Sequence, residues 1–428
     1  MLATMSRSPG LLVLSLLAAS ATGAAAQEPP PPGGPAAAVA PAAVAPAPPD
    51  RGVQVETLAA PDAFTTPGRN TGLPATLWRG ASLKTAQAVL PLIAAKPLSP
   101  AAAALARRVL ATGAPGPAGA SDPALTGARA TALLGQGDAK AAAAILARAP
   151  GADRSPALAH AAAESALLAG DDARACAVAE GLTEGRDDVY WLRLRAYCQA
   201  IGGHADQAQL TFDLAQAQAK DPVFARLMTA KLAGSGNPGA ASLRNGLDYA
   251  LSHSLGLDLG AAKASPAVAA ALSGGDPGEP SFDTAAAAPD VAPLVDALMR
   301  GQAVSDAVLH ALAEPAGSSE PKTRARGQAA LLLGLALGGP LTAESRSQMA
   351  ALTLPEGKAP VGRDLGLESA GEAGLMGEAA MLSLWTCAEA GAAGPAIGDR
   401  VRIVRALHLV GLEADARAFA LEGLLALK

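Results

Sequence analysis

The chain has 428 residues, half of them hydrophobic; only 3% are aromatic, and the net charge is −5. So little aromatic bulk excludes a β-sandwich or barrel, whose pleated faces need β-branched and aromatic side chains. The acidic balance excludes a chain-wide basic field for nucleic acid. What remains is a chain of small-residue helices, long enough for about two or three domains.

Residues 1–26 read as an export signal. Arg7 precedes the apolar run Leu11–Ala19, and Ala24-Ala25-Ala26 offers small residues where a signal peptidase cuts. That run is about half of the roughly 20 residues a membrane span needs, and no cysteine lies near the cut to take a lipid. Ala329–Leu337 is likewise too short. The expectation is a periplasmic or secreted chain without a membrane span after signal cleavage. Residues 27–76, beginning Glu28-Pro29-Pro30-Pro31-Pro32, have few side chains able to offset the entropy of ordering, and read as a disordered Pro/Ala-rich linker.

An α-helical domain is expected over 77–272. Leu83, Gln87, Leu90 and Ala94 keep helical spacing, and Ser99-Pro100 combines a capping residue with first-turn proline. From Asp122 a 33-residue interval sets in. Asp122, Ser155, Asp188 and Asp221 stand as caps; Leu125, Leu158, Trp191 and Phe224 follow three residues on; Gly137, Gly170, Gly203 and Gly236 close the helices. A second helix then runs back. One such hairpin leaves an apolar face bare, and stacking the next hairpin covers it.

Gly137-Asp138-Ala139, with Ala142, Leu146 and Ala149, resembles the turn and second helix of tetratricopeptide (TPR) or TPR-like repeats. Ala175 and Ala208 match that helix's small residue and Phe212 its aromatic. The resemblance covers residues 122–250; the interval is 33 rather than about 34, and the closing proline is missing. It implies an all-α, helical-hairpin repeat solenoid with peptides bound on a concave face lined by the first helices. His160, Arg193 and Arg226 share one place in successive first helices, with Tyr190 and Tyr197 beside Arg193 at i−3 and i+4. Such a basic ladder suits an acidic or extended peptide. The competing reading makes Trp191, Phe212 and Phe224 core and the arginines a solvated face.

Residues 273–290, with Gly274-Gly275-Asp276-Pro277-Gly278, read as a second linker. The C-terminal α-helical domain, 291–428, is expected to hold helices at 291–300, 303–314, 321–337, 342–352, 373–390, 399–410 and 413–427, packed on the first layer or continuing it.

Signals for chemistry are weak. Gly234–Gly239 matches G-x-G-x-x-G but follows a helical run, so it reads as a helix end and turn. Ser319–Lys322 matches S-x-x-K with Pro321 inside, and reads as a loop. None of the five histidines has zinc spacing. His160 and Glu164 read as a solvated helix pair. Cys176 and Cys198 can pair in an oxidising compartment or stay as two small buried residues, and Cys387 reads as a buried thiol. No catalytic residue, metal or cofactor is expected. The sequence thus points to an exported, non-catalytic scaffold or adaptor of the bacterial cell envelope that binds a protein or peptide. The alternatives are a helical accessory domain of a cell-wall-acting enzyme, or an Ala-rich surface protein of antifreeze type.

Overall fold

All four capping residues spaced 33 apart begin helices. The computed structural model describes residues 62–235, 237–274, 278–340, 342–353 and 356–427; the expected signal and residues 27–61 of the expected linker lie outside them. The described residues are all-helical, with no strand. The N-terminal half holds α1 (Leu83–Ala95), α2 (Pro100–Ala111), α3 (Pro123–Gly135), α4 (Ala139–Leu146), α5 (Pro156–Leu168), α6 (Asp172–Gly181), α7 (Val189–Ile201), α8 (Ala205–Gln218), α9 (Pro222–Ala233), α10 (Gly246–Ser254) and α11 (Pro266–Leu272). The C-terminal half holds α12 (Ala292–Met299), α13 (Asp306–Ala316), α14 (Pro321–Ala336), α15 (Ala343–Ala350), α16 (Val361–Glu372), α17 (Met376–Ala390), α18 (Ile397–Leu409) and α19 (Glu413–Leu425).

The interval follows from local chemistry. Asp122 accepts from the Ala124 amide at 2.9 Å, Ser155 from Leu158 at 3.4 Å, and Asp221 from Val223 and Phe224 at 3.0 and 3.1 Å. Each cap satisfies a donor left over at a helix start, worth about 1 kcal/mol. Gly137, Gly170 and Gly203, at φ of 80°, 74° and 81°, take the left-handed turn after α3, α5 and α7. The fourth unit departs from the pattern. Gly234, at φ 61°, ends α9 ahead of the expected Gly236, which lies outside the described residues. Its next helix, α10, starts at Gly246, later than the interval places it, and packs on α5 as well as α9.

Small residues set the packing distances. A Cβ at Gly127, inside α3, would lie 2.6 Å from the Leu158 nitrogen and 2.7 Å from the Ala157 carbonyl, so α3 and α5 touch backbone to backbone. Gly327 does the same for α14 against the Pro315–Ala316 backbone at the end of α13. A Cys176–Cys198 disulfide joins α6 to α7, with 5.6 Å between the Cα atoms. One apolar core gathers α1–α4 with the C-terminal helices, and a second gathers α5–α10.

Three expectations need correction. Residues 62–76 are not linker. Phe64 is fully buried beside Trp78, and Ala63 donates to the Ala120 carbonyl at 2.8 Å. Arg129 of α3, itself wholly buried, donates to the carbonyls of Leu110, Ala63 and Thr112 at 2.7, 2.8 and 2.9 Å and lies over the Phe64 ring. Burial pulls its pKa down to about 9, which leaves it cationic at neutral pH. Nor does 273–290 separate two domains, because the described residues from 62 to 427 form one compact unit. Glu378 of α17 accepts from the Ser82 amide and Thr85 hydroxyl at the start of α1, at 2.7 and 2.9 Å. Glu422 of α19 accepts from the Ala101 amide at the start of α2, at 2.8 Å, and from buried Arg400 at 2.7 Å. Two carboxylates of the C-terminal half thus sit at the positive ends of the first two helices. Finally, α16 was not expected, since Gly362, Gly366 and Gly371 weaken its helical signal. No helix among the described residues is long and apolar enough to cross a membrane.

Candidate functional site

A cleft of about 600 Å³ opens where the C-terminal end of α1 meets α3 and α5, under the segments that lead into α10 and α11. Its walls follow from the close packing of small residues. A Cβ at Gly135 of α3 would lie 2.7 Å from the Ala94 carbonyl of α1. That contact, with the one at Gly127, brings three helix backbones together and leaves a floor of Ala94, Leu134, Ala161 and Leu168. Gln136 turns its amide back to the Ile93 carbonyl at 2.7 Å, capping the end of α1 beside the cleft.

One polar cluster forms around Glu164 of the lining. Glu164 of α5 is buried; one carboxylate oxygen accepts from the Tyr190 hydroxyl at 2.8 Å and the other from the Gly246 amide at 2.6 Å. Gly246 is the first residue of α10, so the carboxylate meets a helix N-terminus, where the backbone dipole favours it. Burial raises the Tyr190 hydroxyl well above its ordinary pKa, and Glu164 adds to the shift, which keeps that proton in place as a donor. The His160 ring packs against Tyr190, with centroids 4.1 Å apart and the planes tilted by 59°. Burial lowers the His160 pKa, against an opposing pull from Glu164, so the imidazole is neutral at pH 7. Its nitrogens have no hydrogen-bond partner among the described residues.

The rim is basic. Arg244 is neutralised by Asp221, at 3.0 Å, and by Asp248. Lys96 and Lys263 are exposed and make no ion pair among the described residues.

The expected ladder is therefore not one surface. His160 faces the cleft, and Tyr190 supports it from behind. Arg193 donates to the Ala219 carbonyl at 2.9 Å, pairs with Asp221 at 3.4 Å and covers the Phe224 ring. Arg226 donates to the Ala240 carbonyl at 2.8 Å. Both arginines hold interhelical segments in place. Tyr197 is wholly buried, its hydroxyl donating to Asp172 at 2.9 Å beside the disulfide. Trp191, Phe212 and Phe224 are core. The i,i+4 pair His160 and Glu164, expected to be solvated, faces inward, because α10 folds back across α5. Lys96, Lys263 and Glu164 had no signal as site residues: two lie at helix ends or loops, and the third matters only through α7 and α10.

Cys387 is a buried free thiol, its pKa pushed up by burial. Among the described residues no group of three or more His, Cys, Asp or Glu side chains is placed to hold a metal ion. Gly234 and Gly239, at φ 61° and 69°, form turns. Glu320 caps α14, so Lys322 lies in a first helical turn and not in a loop. No protein-family model matches the chain, and neither a curated protein nor a solved structure is detectably similar to it.

Proposed function

We propose that the chain is an exported, non-catalytic scaffold or adaptor of the bacterial cell envelope, which binds a protein or peptide partner on a TPR-like helical surface. The surface lies around α1, α3 and α5, not along the Arg193–Arg226 ladder. One observation carries the reading. The cleft brings together an apolar floor, a basic rim and an imidazole with no hydrogen-bond partner among the described residues, while Arg193, Arg226 and Tyr197 are engaged within the fold. Both oxygens of the one buried carboxylate in the cleft are taken by donors, which suits a fixed binding wall better than proton transfer.

Site-specific photocrosslinking in cells tests this. A photoreactive side chain at Ala95, exposed on the cleft wall, is expected to give a discrete protein adduct that the same group at Leu210, exposed on α8, does not give. The same adducts from both positions, or none from Ala95, would remove the reading. Hydrolysis of cell-wall material by the purified chain would replace it with an enzymatic one.

A further inference from the structure

We propose that the interior of the cleft is a binding site for a small amphipathic carboxylate, held as an anion by Lys96 and Lys263 with its apolar body on the Leu134, Ala161 and Leu168 floor. The site uses the same cleft lining as the proposed partner surface, but it does not require that a partner bind there. Its volume, about 600 Å³, falls in the usual range for small-molecule sites. Glu164 in the lining is fixed by the Tyr190 hydroxyl and the Gly246 amide, which makes that wall rigid.

Charge selects the head group. The protein as a whole is acidic at −5, yet the cleft lining carries two ammonium groups that make no ion pair among the described residues, one from the end of α1 and one from the segment before α11, against the single carboxylate of Glu164. Arg244 is already paired with Asp221 and Asp248, while Glu164, held by two neutral donors, leaves one negative charge against the two ammonium groups. Lys96 also contributes to holding the Glu389 carboxyl low, but that carboxyl is held chiefly by the hydrogen bonds of Arg363, at 2.8 and 2.9 Å. Capping of the α1 carbonyls by Gln136 removes a source of negative potential that would oppose an anion. The floor selects the body: aliphatic carbons and methyl groups offer dispersion contacts and no polar partner. His160, neutral and unbonded among the described residues, is left to hydrogen-bond a polar group further along the ligand.

Three eight-carbon probes test the inference with the full chain: octanoate, octanol and octylamine, measured by competition with a fluorescent apolar anion. Octanoate is expected to compete at a concentration about tenfold below octanol, with octylamine weakest, and the preference should shrink as salt is raised. Replacing both exposed lysines, Lys96→Gln with Lys263→Gln, should bring octanoate level with octanol while leaving helicity unchanged. Ala267→Phe, which fills the cleft, should weaken both. Equal binding of octanoate and octanol by the native chain, failure of all three to bind, or a carboxylate preference that survives the double substitution would overturn the proposal. So would hexa-alanine with a free carboxylate binding tighter than octanoate. None of these results bears on the Ala95 adduct, so the two readings fail separately.

Discussion

Between Pro123 and Ala233 each first helix starts on a polar cap and ends on a glycine, and neighbours repeat after 33 residues. Between Ala292 and Leu425 helices of similar small-residue composition follow no fixed step. The repeated region is set by bonds made within a few residues of each cap. The C-terminal helices are set by groups that reach across the chain, Glu378 to α1 and Glu422 to α2, with buried Arg400 tying α18 to the Phe419 carbonyl of α19 at 3.1 Å. Similar material can therefore be ordered by local rules or by distant keystones, and only the first kind leaves a period.

The comparison can be broken most severely at Arg129, a distant keystone placed inside the repeated region. Arg129→Met would leave three buried carbonyls without donors and is expected to cost about 3–5 kcal/mol in urea unfolding of the full chain. Arg226→Met, at a looser surface bond, should cost under about 1 kcal/mol. Equal losses would mean that residues 62–78 do not depend on Arg129. Next comes the disulfide, which closes a separation of 22 residues and should contribute about 3 kcal/mol. After its reduction, amide exchange should quicken in α6–α9 and stay slow in α16–α19. Equal acceleration in both would abolish the two-core division.

Close helix crossings sharpen the comparison, because both regions use them. Gly127→Ala and Gly327→Ala should each cost about 1–3 kcal/mol by thermal unfolding, since the added methyl meets backbone. Gly362→Ala, which meets nothing within 4 Å in α16, should be neutral or gain up to about 0.5 kcal/mol. A loss at Gly362 as large as at Gly127 would discard the crossing argument. A pH-dependent effect is expected at Asp415, paired with Arg108 between α19 and α2. Burial raises its pKa from 3.8 to about 6 in the folded chain. The stability it contributes is therefore full below about pH 4 and lost as pH rises through about 6. Asp415→Asn should flatten that decline, so the difference in melting temperature moves in the variant's favour between about pH 4 and 6. A constant difference across that range would show that Asp415 titrates normally.

Legibility follows the same division. Asp122, Ser155 and Asp221 announced helix starts because capping joins residues two or three apart, and Asp188 holds the same place without a side-chain cap bond. The C-terminal helices were legible except α16, whose three glycines mask it. Residues 62–76 were misjudged because a Pro/Gly/Thr segment has no periodicity, and its order comes from Arg129 on a later helix. At the candidate cleft the sequence offered His160, Tyr190 and the arginines; the fold kept the first in the cleft, put Tyr190 behind it and engaged the arginines elsewhere. The pairing of Cys176 with Cys198, left open by spacing, depends on α6 and α7 lying side by side.

The sequence alone determined an all-helical chain of small residues and the phase of its repeated helices, because turns, caps and left-handed glycines act over a few residues. Tertiary structure decided where that phase stops, which arginines are keystones, and that α10 folds back on α5 to make a cleft. Those outcomes depend on contacts between groups tens or hundreds of residues apart, which no local pattern encodes.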